Sequence, residues 1–486
     1  MLPPVPRPQG GVSQSLAYVM GRRVASNAIR LVALMVVARY VPPDRFGLVA
    51  FANVALSFAV LVGSAGIGTF VVCTAAARRS PAVMAAFWLN LALTTVQVAI
   101  GAACLPLLLR LQPDPRLPAV FAASLAVFFI DQLRLVPDSV LEQEQRFRAI
   151  AARDLVSEAA ISAVTMGLAV AGWDVWSLVL PRLAASPVLF ASTVAIARWK
   201  PRLKPGVALW PAILRFTAPL MGSSFLQVAS NDADTMVVGA ITDVRTLGLY
   251  SSAYNLSNVL GRNITATVVQ VATPVLAADR EEPSKQRERI LRLYAGLALV
   301  VWPPLLGLFV LADAAVSALY GPNWAGMVPY LRVFLLFTMV RATTSPSGMV
   351  FNVLGRTLLS LQSQIGSTLL ILAGIALGAS HGALGIAVGL TVARITAGLT
   401  VYVRSLDLLD VPAKAAARLG IQPAVLATAC ALAVWASFHL VRAWLPNAAA
   451  LVCAAAVGGT VQASWIAIRH RELIPARWRP RMAGLR

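Results

Sequence analysis

Arg23, Asn27 and Arg30 stand four and three residues apart inside an otherwise apolar run, so a helix there would carry them on one face. Further along, Gln227, Asn231 and Asp234 repeat the same offsets, and the tetrapeptide VASN occurs in both places, at 24–27 and 228–231. The first stripe is cationic and the second more acidic. Guanidinium groups present planar N–H forks that match phosphate oxygens in pairs, so the first stripe suits an anionic, phosphate-bearing ligand. Asn231, Asp232 and Asp234 could instead offer hard oxygen ligands to a monovalent cation, or one of the carboxylates could carry a proton. The two stripes could also simply neutralise each other as Arg–Asp pairs.

Further arginines interrupt apolar segments at Arg22, Arg134, Arg182, Arg262, Arg332, Arg341 and Arg394. Tyr254, Asn258 and Arg262 again share a helical spacing, with Thr265 next on that face. Acidic residues in comparable positions are fewer: Asp131, Glu158, Asp232 and Asp234. A charge in the middle of a bilayer costs at least about 2.5–3.5 kcal/mol, so such groups must face water, a ligand or one another. The surplus of cations predicts a water-filled, cationic cavity suited to an anionic cargo. Arg22, Arg23, Asn27, Arg30, Arg182, Asn258, Arg262, Arg341 and Arg394 are the candidate cargo-binding residues. Asn231, Asp232 and Asp234 are the candidates for a coupling ion, Na+ or H+. The predicted outside loops are short and carry no acid pair or His cluster, and binding and release require no covalent chemistry, so no enzyme is expected and no other cofactor is implied.

The surrounding chain is that of a membrane protein. Of its 486 residues 58% are hydrophobic and 13% charged, about half the charged fraction usual for a soluble domain, and the mean hydropathy is +0.75. The net charge of +21 is spread in short clusters between apolar runs, without a basic aromatic module or zinc spacing, which argues against nucleic acid. The N-terminus, MLPPVPRPQGG, lacks the layout of a removable signal peptide. Cys73, Cys104, Cys430 and Cys453 have no CxxC spacing and read as small packing residues.

Windows of roughly 20 apolar residues mark about fourteen candidate transmembrane helices. The basic residues fall on alternate connections: Arg78/Arg79, Arg146/Arg148/Arg153, Arg198 to Lys204, Arg280 to Arg292, Arg404 to Arg418, and the tail from Arg469. This distribution predicts that both termini are cytoplasmic. Expected divisions are a six-helix lobe over 1–197, an amphipathic linker at 198–215, and a second six-helix lobe over 216–403. A second linker at 404–421, a final helix pair over 422–468 and a basic tail at 469–486 complete the chain. The segment RFGLVAFANVAL (45–56) parallels TLGLYSSAYNLS (246–257), so the lobes are expected to be same-orientation repeats, as in several transporter folds. Pro181, Pro219, Pro274, Pro303/Pro304 and Pro346 would kink their helices, either to move or as fixed bends.

Four stretches complete the picture: ARYVPPDRFGLVAF (38–51), SNDADTMVVGAITDVRTLGLYSSAYNLSN (230–258), TPVLAADREEPSKQRERI (273–290) and ALYGPNWAGMVPYLRVF (318–334). In combination and order they resemble the Wzx/WzxC-type polysaccharide flippases of the multidrug/oligosaccharidyl-lipid/polysaccharide exporter superfamily. The resemblance implies an all-α polytopic protein whose two lobes form a V-shaped central cavity. It further implies alternating access, and a cargo of undecaprenyl-diphosphate carrying a sugar repeat unit. That cargo would be moved across the bacterial inner membrane for exopolysaccharide, capsule or O-antigen synthesis. Relatives line the cavity with arginines of the first and eighth spans, which correspond to Arg22, Arg23, Arg30 and Arg262. Some bind sodium through an acid of the seventh span, which maps onto Asp232 or Asp234. Expected partners are the lipid-linked sugar, inner-membrane lipids, a polysaccharide polymerase and a chain-length regulator. Two other readings fit less well: a drug/cation antiporter of the same fold would need an acidic cavity, and a membrane glycan polymerase or ligase would need a large extracytoplasmic loop.

Overall fold

The computed structural model describes residues 12–59, 66–74, 80–200, 205–278 and 282–469, which are almost wholly helical; no strand occurs among the described residues. The helices are α1 (Val12–Tyr40), α2 (Pro43–Ala59), α3 (Ile67–Cys73), α4 (Pro81–Leu111), α5 (Leu117–Leu133), α6 (Leu135–Gln143), α7 (Phe147–Val170), α8 (Trp176–Ala197) and α9 (Trp210–Ile241). They continue with α10 (Val244–Ala278), α11 (Pro283–Val310), α12 (Ala312–Leu319), α13 (Val328–Thr344), α14 (Ser347–Val353), α15 (Thr357–Ala379), α16 (Gly382–Asp407), α17 (Ala413–Val441) and α18 (Asn447–Arg469). Helices are the only open segments whose amides are satisfied within lipid, and the apolar sequence selects them. Among the described residues nine segments are long and apolar enough to cross a bilayer. α1, α9 and α10 are also of spanning length, at 29, 32 and 35 residues, but they bear the polar stripes that lower their hydropathy.

The chain separates into two compact units, 1–251 and 252–486. α9 packs against α2, α3 and α4 within the first unit, and α10 runs from one unit into the other. The linker expected at 404–421 is mostly helix, divided between α16 and α17. Its basic, partly amphipathic sequence is equally compatible with helix ends extending past the apolar core.

In the first unit, Ser80 accepts from the Val83 amide at 3.3 Å and Pro81 follows it, a combination that starts α4. Asp174, in the α7–α8 connection, is clasped by Arg45 Nε at 2.8 Å and Arg116 Nη1 at 2.9 Å. The buried Gln112 amide donates to the Gly239 and Thr242 carbonyls at the end of α9, at 2.6 and 2.5 Å. The starts of α2 and α10 touch backbone to backbone: a Cβ on Gly47 would lie 1.7 Å from the Val244 oxygen, and one on Gly248 would lie 1.9 Å from the Pro43 oxygen. These glycines are the Gly of RFGL and of TLGL, the two motifs aligned from sequence. Asp243 caps α10. Burial opposes its charge, but the Thr246 hydroxyl and the amides of Thr246 and Arg245 donate to it and hold its carboxyl below the ordinary range.

In the second unit, α15 and α16 cross at two Gly-x-x-x-Gly segments, with Gly374 against the Gly389 carbonyl and Gly378 against the Gly385 carbonyl. α17 and α18 are integral to this unit, packing Val434, Phe438, Ala450 and Ala454 around Leu311. Pro303 and Pro304 have no N–H to give to the Leu299 and Val300 carbonyls one turn earlier. The Gln462 amide, on α18, supplies both hydrogen bonds instead, at 3.0 and 3.1 Å.

Two spans break near their ends. α5 stops after 17 residues and α6 follows beyond Arg134. α13 also stops after 17 residues, and α14 follows beyond Ser345 and Pro346.

Candidate functional site

Each unit holds its own cluster of arginines at membrane depth. In the first, a cavity of about 510 Å³ opens among α1, α2, α5, α7 and α8. Arg30 enters from α1 and grips Glu158 of α7 with a two-pronged fork, Nε to Oε1 at 2.9 Å and Nη2 to Oε2 at 2.7 Å. Arg182 and Ser186 sit one turn apart on α8, and both reach Asp131 of α5, at 2.8 and 3.0 Å. The cavity wall thus carries two guanidiniums and two carboxylates, with Asn53, Ser124 and Ser162 adding neutral polar surface. Arg30 and Arg182, two of the candidate cargo-binding residues, both line this cavity, each paired with a carboxylate of a neighbouring helix.

On the far side of Asp131 a second cavity, of about 690 Å³, is lined by Arg134, Asp138 and Glu142. Arg134 pairs with Asp138 at 2.9 Å. Arg153, almost buried, bridges Asp138, Asp154 and the Thr193 hydroxyl. Arg134 and Arg153 therefore knit the α5–α6 break to α7 and α8.

In the second unit the stripe on α10 meets α13 and α16. Arg341 Nη1 donates to Asn258 Oδ1 at 3.1 Å, and Arg394 Nη1 donates to the Tyr254 hydroxyl at 2.7 Å. Both guanidiniums lie over the Phe337 ring, 5.5 and 4.9 Å from its centroid, and Arg394 also lies 5.4 Å from that of Tyr254. Arg394, midway along α16, is only 8% exposed. Cation–π contacts of this kind contribute about 2 kcal/mol where desolvated, so the ring faces help to hold both cations in place. Trp302 of α11 steadies α13 from behind, donating to the Met339 carbonyl and the Thr343 hydroxyl. Arg332 has a different setting, as a partner of Asp313.

The coupling-ion candidates do not converge. Asp232 and Asp234 are two residues apart on α9, so their side chains leave the helix on opposite sides. Asp234 is fully buried and accepts from the Tyr250 hydroxyl at 2.6 Å; Asn231 shares its side of the helix by spacing. No cluster of three metal-ligating side chains occurs among the described residues. The side chains of Arg22, Arg23 and Arg262 lie outside the described residues, while Asn27, one turn from Arg23, is half-buried.

Sequence spacing found the Tyr254–Asn258 stripe and counted Asp131 and Glu158 among the few acids within apolar segments. It did not pair those acids with Arg182 and Arg30, and it missed Phe337. The only local signal for Phe337 is its position one turn before Arg341.

This is an α-helical, multi-pass membrane protein, and the comparisons with known proteins agree. The family described as "Polysaccharide biosynthesis protein" matches residues 36–329, and the chain belongs to it. The succinoglycan biosynthesis transport protein ExoT of Rhizobium meliloti (strain 1021) is 22% identical over 334 residues, 67% of this chain and 66% of that protein. The lipopolysaccharide biosynthesis protein WzxC of Escherichia coli (strain K12) is 23% identical over 378 residues, covering 75% of each chain. Among solved structures, the lipid II flippase MurJ in an inward closed conformation superposes with a TM-score of 0.74, at 13% identity. It covers 95% of this chain and 100% of its own. That likeness establishes the fold.

Proposed function

We propose that this protein is a lipid-linked oligosaccharide flippase that moves undecaprenyl-diphosphate-linked sugar repeat units across the bacterial inner membrane by alternating access. Its family and its relatives in polysaccharide export support the assignment. The observation that carries the choice of cargo is the arginine pair over Phe337. Two guanidiniums gathered over one ring, on apolar segments of spanning length, place planar N–H forks close together, and a diphosphate offers oxygens in the spacing such forks bind. In the first-unit cavity, Asn53, Ser124 and Ser162 beside Arg30 and Arg182 offer sugars neutral polar surface. An apolar groove of about 430 Å³, lined by Leu308, Val434, Leu451 and Val452, suits a polyprenyl chain. The work is binding and release, without covalent chemistry.

Both termini would lie in the cytoplasm, and the product would pass to a polysaccharide polymerase with its chain-length regulator. Na+ or H+ would drive the cycle; within the α9 acids, Asp234 with Asn231 is the proposed site, since Asp232 is directed elsewhere.

The test is transport by the purified chain in proteoliposomes loaded with undecaprenyl-diphosphate-linked oligosaccharide. The readout is the fraction of sugar reached by an impermeant oxidant on each leaflet. The native chain should equilibrate the leaflets. Arg394→Lys, which keeps the charge but loses the planar fork, should slow this about tenfold, equivalent to about 1.4 kcal/mol. No movement by the native chain overturns the function, and a native rate in both Arg394→Lys and Arg341→Ala overturns the role of this cluster.

A further inference from the structure

The first-unit cavity presents a charge problem that its geometry resolves. Arg30 and Arg182 line one space, and each guanidinium is occupied by an acid on a neighbouring helix, Glu158 and Asp131. Among the described residues the charges on the wall balance. The two arginines use three of their ten N–H groups on these acids (Arg30 Nε and Nη2, Arg182 Nη2). The Arg30 and Arg182 side chains are also the exposed members of their pairs, at 62% and 45%, against 15% for Glu158 and 21% for Asp131. Cations therefore face the open space and acids sit behind them. An anion entering the cavity would meet donors first and would then bring its own charge close to both acids. An added negative charge within a few ångströms repels both carboxylates, and a proton taken up by them relieves that repulsion.

We propose that Glu158 and Asp131 are exchangeable counter-ions, yielding Arg30 and Arg182 to the cargo's diphosphate and each taking up a proton from cavity water as they do so. The proposal rests on the flippase assignment above and adds a proton-linked step, placed on α5 and α7, to the loading of that cargo. Among the described residues, the other charges near the acids are already engaged: Asp154, one turn before Glu158, accepts from Arg153, and Arg134, beyond Asp131, pairs with Asp138. Ser186 donates to Asp131 and can equally accept from its protonated form, so the acid keeps a partner in both states. α2 contributes the neutral Asn53. The carboxylates thus serve two ends: they make the empty cavity tolerable in the membrane, and they tie its filling to proton concentration.

The experiment is calorimetric titration of the full chain in lipid nanodiscs with undecaprenyl diphosphate, repeated in buffers of different ionisation enthalpy so that protons exchanged on binding are counted. The native chain should take up about one proton or more per diphosphate bound near neutral pH. Glu158→Gln and Asp131→Asn should each lower that uptake and tighten binding about tenfold, because a competing anion has been removed. Arg30→Gln should weaken binding. A merely structural ion pair predicts the reverse, looser binding and a lower melting temperature in Glu158→Gln with no proton uptake by the native chain. Binding by the native chain without proton uptake overturns the exchange, whether or not a variant folds, and leaves the flippase assignment standing if transport is intact. Failure of the native chain both to bind and to transport overturns the two together.

Discussion

The contact between the starts of α2 and α10 can be tested with single methyl groups. An alanine at 248 would place its Cβ 1.9 Å from the Pro43 oxygen, where ordinary contact begins at 3.4 Å, so the helices must part by about 1.5 Å. At 47 the new Cβ would lie 1.7 Å from the Val244 oxygen, again backbone, which cannot rotate away. Overpacking of this size costs about 1–3 kcal/mol, and for a unit of roughly 250 residues each kcal/mol lowers the melting temperature by about 2–4 °C. Gly248→Ala and Gly47→Ala should therefore each melt several degrees below native, followed by tryptophan emission on heating. Both substitutions demand the same separation, so the double variant should cost little more than the worse single one. Gly167→Ala serves as the control. It lies within α7 with nothing within 4 Å of the added Cβ, so alanine's helix preference should leave stability unchanged or raise it by up to about 1 kcal/mol. An unchanged melting temperature in either single variant, or a double equal to the sum of the two, would show that the helices do not meet backbone to backbone.

Two further outcomes follow from hydrogen-bonding partners. Gln462→Met removes the donor that completes the Leu299 and Val300 carbonyls and should cost about 1–3 kcal/mol; with Pro303→Ala and Pro304→Ala already present the same change should be nearly neutral, since α11 then supplies its own N–H groups. Asp243 has its carboxyl pKa depressed by the N–H and O–H groups donated to it, so the stability it lends is complete above the ordinary carboxylate range and fades as pH falls through its lowered value. Asp243→Ala should therefore cost about 1 kcal/mol at neutral pH, and the gap in melting temperature from native should narrow in acid.

Much of the fold is visible in local patterns. Lipid removes every alternative to helix for an apolar run, so composition alone specified an all-α membrane chain, and helical spacing put Tyr254 and Asn258 on one face. What local patterns do not encode is which helix a face meets. Arg30 and Glu158 are both charges in apolar runs, but their pairing depends on α1 packing against α7. Arg394 and Phe337 meet only because α13 and α16 are neighbours.

By itself, then, the chain determined its solvent, its helices, the surplus of cations within them and, through recurring motifs, its family. Tertiary structure decided which helices meet, so that Arg30 and Arg182 pair with acids and Arg341 and Arg394 gather over Phe337. The physical reason is range: the cost of a charge in lipid is a property of the residue and its segment, but the relief of that cost comes from side chains brought within about 3 Å by packing.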